Sequence, residues 1–107
     1  MALANVIAPP PTKETGTCTE YPNQIKWSRI GNTVNVSVDG FVPTVNTNIN
    51  ITGLPKPYNG QYQYFPICSG GQLRGYLEYN DSVSTWRVYG YSASAGWGSG
   101  SYLTDGV

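Results

Sequence analysis

The run Gln24-Ile25-Lys26-Trp27-Ser28-Arg29-Ile30-Gly31-Asn32-Thr33-Val34-Asn35-Val36-Ser37-Val38 decides the fold. Val34, Val36 and Val38 alternate with Asn35 and Ser37, the period of a strand with one buried face. On the preceding stretch, Gln24 to Ile30, Ile25 and Trp27 share a face. Between the two lies Gly31-Asn32. Glycine tolerates the positive φ at the first corner of a type II′ turn, so the segments read as a hairpin.

Working outward, the same alternation recurs. Asp39-Gly40 ends the second strand, and Phe41-Val42 can begin another. Asn48 to Thr52 places Ile49 and Ile51 inside. Gly53-Leu54-Pro55-Lys56-Pro57 reads as a loop, because proline cannot donate to a ladder. Gln61 to Cys68, Leu73 to Tyr79 and Thr85 to Tyr91 read as strands, separated by Ser69-Gly70-Gly71 and by Asn80 to Ser84. Ser92 to Ser99 reads as a small-residue loop carrying Trp97, and Ser101 to Thr104 as a short closing strand. Residues 1–19, with Pro9-Pro10-Pro11, read as an extended arm or linker, leaving residues 20–107 as the folded domain. The expected class is all-β, a Greek-key-like antiparallel barrel or sandwich of about six to seven short strands.

Composition narrows function. Six Lys+Arg balance six Asp+Glu, so the basic surplus of a nucleic-acid binder is missing. No apolar run is long enough for a membrane-spanning helix, and no segment reads as a secretory signal. There is no histidine, which excludes Ser-His-Asp and Cys-His catalysis and disfavours a protein-only metal site. Asp39 and Asp81 sit in turn contexts and Asp105 near the end, which leaves Glu78 without an obvious acid–base partner. An enzyme is not expected, and no cofactor is implied. Cys18 and Cys68 are the only cysteines; a disulfide and two free thiols are both open.

Aromatics carry the positive signal. Tyr58, Tyr62, Tyr64, Tyr76, Tyr79, Tyr89, Tyr91 and Tyr102 crowd the second half with Trp86 and Trp97. Tyrosine favours strands on its own account, so any one of them needs no ligand. Strand parity makes a sharper case. Arg74, Tyr76 and Glu78 share one face of their strand, with Leu73, Leu77 and Tyr79 on the core side. Arg87, Tyr89 and Tyr91 share a face of the next strand, opposite Trp86 and Val88. If these strands pair as a hairpin, both polar faces coincide. Sugar rings offer C–H faces to aromatic rings and hydroxyls to polar groups, so the patch suits a saccharide. An idle solvated face with an incidental Arg–Glu pair is the alternative.

With these residues in view, the chain from Gln24 to Asp105 resembles the head domain of receptor-binding proteins from lactococcal siphophages. The resemblance rests on Arg29-Ile30-Gly31-Asn32-Thr33-Val34 leading into Val36-Ser37-Val38-Asp39-Gly40, and on Gly53-Leu54-Pro55. It continues with Gly70-Gly71, the Tyr76–Glu78 strand, Val88-Tyr89-Gly90, Ser92-Ala93-Ser94 and Gly98-Ser99-Gly100-Ser101-Tyr102. It implies a β-barrel head and a homotrimer, joined through an upstream neck and shoulder to baseplate proteins at the virion tail tip. It also implies adhesion to a host cell-wall saccharide, either glycerol phosphate-like or a phosphopolysaccharide. In that family a His-x-Asp pair and an aromatic on the next strand hold the ligand. Those positions fall here on Tyr76, Glu78 and Tyr89, and Arg74 and Arg87 flank them where a phosphate would need cations. The competing readings are a carbohydrate-binding module of a secreted hydrolase and a structural tail domain without a ligand.

Overall fold

The computed structural model describes residues 12–105, and they are all-β. Eight strands follow in chain order: β1 (Lys13–Thr17), β2 (Ile25–Ile30), β3 (Thr33–Phe41), β4 (Asn48–Ile51), β5 (Gln63–Ser69), β6 (Gln72–Asn80), β7 (Thr85–Gly90) and β8 (Gly96–Leu103). They form one antiparallel sheet in the order β1-β2-β3-β8-β5-β6-β7-β4, curled into a half-barrel. The strand count exceeds the six to seven expected: β1 is the added strand, and β8 is the expected closing strand begun earlier, at Gly96.

The β2–β3 hairpin forms as its sequence predicts. Ile30 pairs with Thr33 across a two-residue turn, and Gly31 has φ 59°. β3 then runs further than Val38. The Asp39-Gly40 step, read as a strand end, is a register shift inside β3, with Gly40 at φ 63° and Phe41 pairing with Gly96 beyond it. Val34, Val36, Val38 and Phe41 are all buried.

Residues 1–11 of the expected arm lie outside the described residues. The remainder of it is not an arm. Lys13–Thr17 pairs along its whole length with β2, and Cys18 is fully buried. Gly16 stands opposite Trp27 and the indole lies on it, where any side chain would collide. A polar strand of this kind has no hydrophobic alternation to announce it; its neighbour holds it. Cys18 and Cys68 are both free, and burial pushes the Cys18 thiol up from its usual range.

β8 joins the two halves of the sheet, and its stretch Gly96 to Ser99 corrects the loop expected there. Gly96, Gly98 and Gly100 face inward, so the strand has no side chains on that side. Phe65 covers Gly100, the Pro66 carbonyl lies against Gly98, and Ile67 Cγ2 would come within 2.7 Å of a Cβ at Gly96. With the inner face of β8 bare, β5 folds tightly over it. Between β8 and β7, the interior is filled by Phe65, Ile67, Leu77, Tyr79, Trp86, Val88 and Tyr102.

The outermost strands approach each other at one end. Thr19 N–H donates to Thr52 O at 2.8 Å, and Trp27 Nε1–H to Gly53 O at 2.9 Å. The Glu20 carboxylate accepts from Thr52 N–H at 2.7 Å and from Thr52 Oγ1–H at 2.8 Å. The Thr52 amide holds the Glu20 carboxyl below its ordinary pKa. A depressed carboxyl contributes stability above the pH where an unfolded Glu ionises, about 4.3, and loses it as pH falls through the lower folded value. Glu20→Gln is therefore expected to lower the melting temperature at pH 7, with the deficit shrinking as the pH is taken below about 4. A deficit that stayed constant across that range would show that the charge contributes nothing.

Candidate functional site

The outer face of β4, β7, β6 and β5 is built from the alternate positions the core does not use. β6 pairs with β7 so that Tyr76 stands opposite Tyr89, and Glu78 opposite Arg87. β4 adds Asn48 beside Tyr89 and Asn50 beside Arg87, and β5 adds Tyr64 beside Glu78 and Pro66 beside Tyr76. Two rows cross the strands: Asn50–Arg87–Glu78–Tyr64 and Asn48–Tyr89–Tyr76–Pro66.

Four of the five residues singled out from the sequence, Tyr76, Glu78, Arg87 and Tyr89, converge as parity demands. The rings of Tyr76 and Tyr89 stack, with centroids 5.3 Å apart and planes 20° apart. Tyr64 leans on Tyr76 from the β5 side at 5.2 Å, and Tyr91 meets Tyr89 edge-on at 5.3 Å. The faces between these neighbours are occupied by one another. The surface therefore offers ring edges and hydroxyls more than the open ring faces expected, with Tyr91, half exposed, at the margin. Tyr89 O–H donates to Asn46 Oδ1 at 3.2 Å.

Glu78 is not at the surface: it is 5% exposed. Arg87 Nε–H donates to its Oε1, and Tyr62 O–H to its Oε2 at 2.8 Å. Both carboxylate oxygens are thereby engaged, and Glu78 positions Arg87 and Tyr62 rather than meeting solvent. Partial desolvation, reinforced by the Glu78 carboxylate, pushes the Tyr62 phenol up to about 12. Desolvation also raises Tyr76 and Tyr64. These phenols stay protonated through neutral pH as hydrogen-bond donors.

Arg74 sits at the end of the face. Its Nη1 lies 3.4 Å from Ser92 Oγ, and its buried Nε has no partner among the described residues. β6 carries one more residue than β5 here: Ile67 pairs with Gly75 but Cys68 with Leu73. That bulge corrects the reading of Leu73 as core, since Leu73 is 42% exposed.

Sequence reasoning left Tyr62, Tyr64, Asn46, Asn48 and Asn50 out of the site. Parity within their own strands was available for Tyr64, Asn48 and Asn50. Their neighbours were not, because β4 pairs with β7 across a long connection and the bulge resets the β5–β6 register. Among the described residues no cluster of His, Cys, Asp and Glu could hold a metal ion. No protein family, curated protein or solved structure matches the chain.

Proposed function

We propose that this chain is a saccharide-binding domain acting in adhesion, the head of a phage receptor-binding protein that engages the host cell wall through the outer face of β5, β6 and β7. The observation that carries the reading is the four-tyrosine cluster of Tyr64, Tyr76, Tyr89 and Tyr91 over the Glu78–Arg87 pair. Phenol hydroxyls and the Asn48 and Asn50 amides supply both donors and acceptors, as a polyol needs, and Arg74 adds a cation for an anionic substituent. Rigid tyrosines lose little side-chain entropy on binding. The chain has no histidine, and both oxygens of Glu78, the carboxylate of this face, are engaged by Arg87 and Tyr62, so the proposed role is adhesion without turnover.

In this reading the half-barrel completes a Greek-key head, three copies assemble, and the virion tail tip carries them through upstream neck, shoulder and baseplate proteins. Weak sites on three heads would bind together far more tightly than one.

Host wall polysaccharide and glycerol phosphate are the ligands to titrate. Tyr76→Ala and Tyr89→Ala are each expected to weaken binding about tenfold, the loss typical of a central aromatic contact. Absence of binding, or binding indifferent to both changes, overturns the site. Light scattering of the bound form decides the setting: a trimer supports the phage head, whereas a monomer that binds sugar is a module of the kind attached to secreted hydrolases.

A further inference from the structure

Two of the three tryptophans serve the domain's own packing. Trp86 is buried and donates its indole N–H to Pro55 O at 3.1 Å. Trp27 packs against the core and donates to Gly53 O at 2.9 Å. Trp97 does neither. It is 50% exposed on the outer side of β8, and among the described residues its N–H has no acceptor.

The strands beneath Trp97 tie it to the tyrosine face. Trp97 pairs with Cys68 of β5, and Cys68 with Leu73 of β6, so the three share one outward row. Tyr91 N–H donates to Arg74 O at 2.8 Å, which sets Tyr91 at the β7 end of that row. There its ring meets both Tyr76 and Tyr89. Tyr91, Leu73 and Trp97 are all exposed, and contiguous exposed apolar side chains mark a contact surface where single ones do not. From Tyr76, Trp97 lies two strands across and two residues along β5, about 12 Å by the usual strand spacing and rise. A sugar ring resting on Tyr76 cannot also cover Trp97.

Toward β3 the surroundings of Trp97 are polar. The indole reaches Gly40, where a Cβ would lie 3.9 Å from its Cζ2. Asp39 and Ser99, on either side, are exposed. A carboxylate and a hydroxyl beside an open ring suit a polyol, whereas the centre of a protein contact is depleted of charge.

We infer that Trp97 is a second saccharide subsite, so that the outer face takes a glycan chain along its length rather than one terminal sugar. The inference rests on the reading of the tyrosine face as a saccharide site. One ring stacks on the open side of the Trp97 indole, its hydroxyls donating to Asp39, while another sits at Tyr76 and Tyr89. Tyr91, Leu73 and Cys68 floor the stretch between.

Titration of the full chain with host wall polysaccharide and with glycerol phosphate, too short to reach both subsites, tests it. The polysaccharide is expected to shift tryptophan fluorescence to shorter wavelength as it covers Trp97, and glycerol phosphate to leave it in place. Trp97→Ala should weaken polysaccharide binding about tenfold and leave glycerol phosphate binding unchanged. Trp97→Tyr keeps a ring and should recover most of the loss, whereas Tyr76→Ala should weaken both ligands. Polysaccharide binding weakened by Tyr76→Ala but not by Trp97→Ala overturns this inference and leaves the proposed function standing. Equal losses for both ligands in Trp97→Ala overturn it too, because they place the effect at the tyrosine cluster. A fall in light-scattering mass in Trp97→Ala assigns the row to a contact between copies instead. No binding of either ligand by the unaltered chain sinks the proposed function and this subsite together.

Discussion

Gly98→Ala is expected to destabilise the domain by about 3 kcal/mol, at the upper end of the usual cost of overpacking. An added Cβ would meet the Pro66 carbonyl oxygen well inside van der Waals contact and approach Ile67 Cα at 3.6 Å. Both are backbone atoms of β5, so no side chain can swing aside; the strand itself must withdraw. β5 and β8 form the seam between the halves of the sheet, where the register pairs only Cys68 with Trp97. Retreat at Gly98 would also loosen Phe65 over Gly100 and Ile67 over Gly96. Stability of a domain this size is about 5–15 kcal/mol in total, so the loss is a large fraction. Urea denaturation measures it, with Ser99→Ala as the control, since Ser99 points outward from the same strand and should cost under about 0.5 kcal/mol. Equal midpoints for the two variants would show that β5 and β8 do not approach so closely.

Arg87→Met carries the second large effect. Glu78 is nearly buried, and among the described residues Arg87 and Tyr62 are its only side-chain donors. Removing the guanidinium leaves a buried carboxylate with one neutral donor. Breaking a buried ion pair from one side typically costs about 3–5 kcal/mol; the Arg87 side chain is 24% exposed, which places this variant toward the lower end. Replacing both residues by Met removes the stranded charge as well as the pair. The double variant is therefore expected to be more stable than Arg87→Met alone, and the coupling should exceed about 1 kcal/mol in a thermodynamic cycle. Additive losses would mean that the two groups act separately. Saccharide binding adds a separate check: in the double variant Glu78 no longer anchors Tyr62, and binding should also weaken.

Local pattern accounts for the parts of the fold and site that could be read in advance. The β2–β3 register follows from the valine alternation and the Gly31-Asn32 turn, since the turn length sets which residues face each other. The same logic brought Tyr76 to Tyr89 and Glu78 to Arg87, because a short hairpin connects β6 and β7. In each case the partners are near in sequence, so counting residues is enough.

Where the partner is remote, counting fails. β1 is polar and exists because β2 receives it, and the first half of β8 hides its alternation behind glycines whose missing side chains β5 replaces. The bulge that turns Leu73 outward sets Tyr64 across from Glu78, one register step from where a regular Gly70-Gly71 hairpin would put it. Burial of Glu78 beneath Tyr62 and Arg87 likewise depends on β6, β7 and the segment leading into β5 meeting. Which side chains face which way is thus written in the two-residue period of the chain. How far each lies beneath the surface, and which distant strand covers it, came only from the folded sheet, because those contacts join segments whose spacing along the chain carries no trace of their meeting.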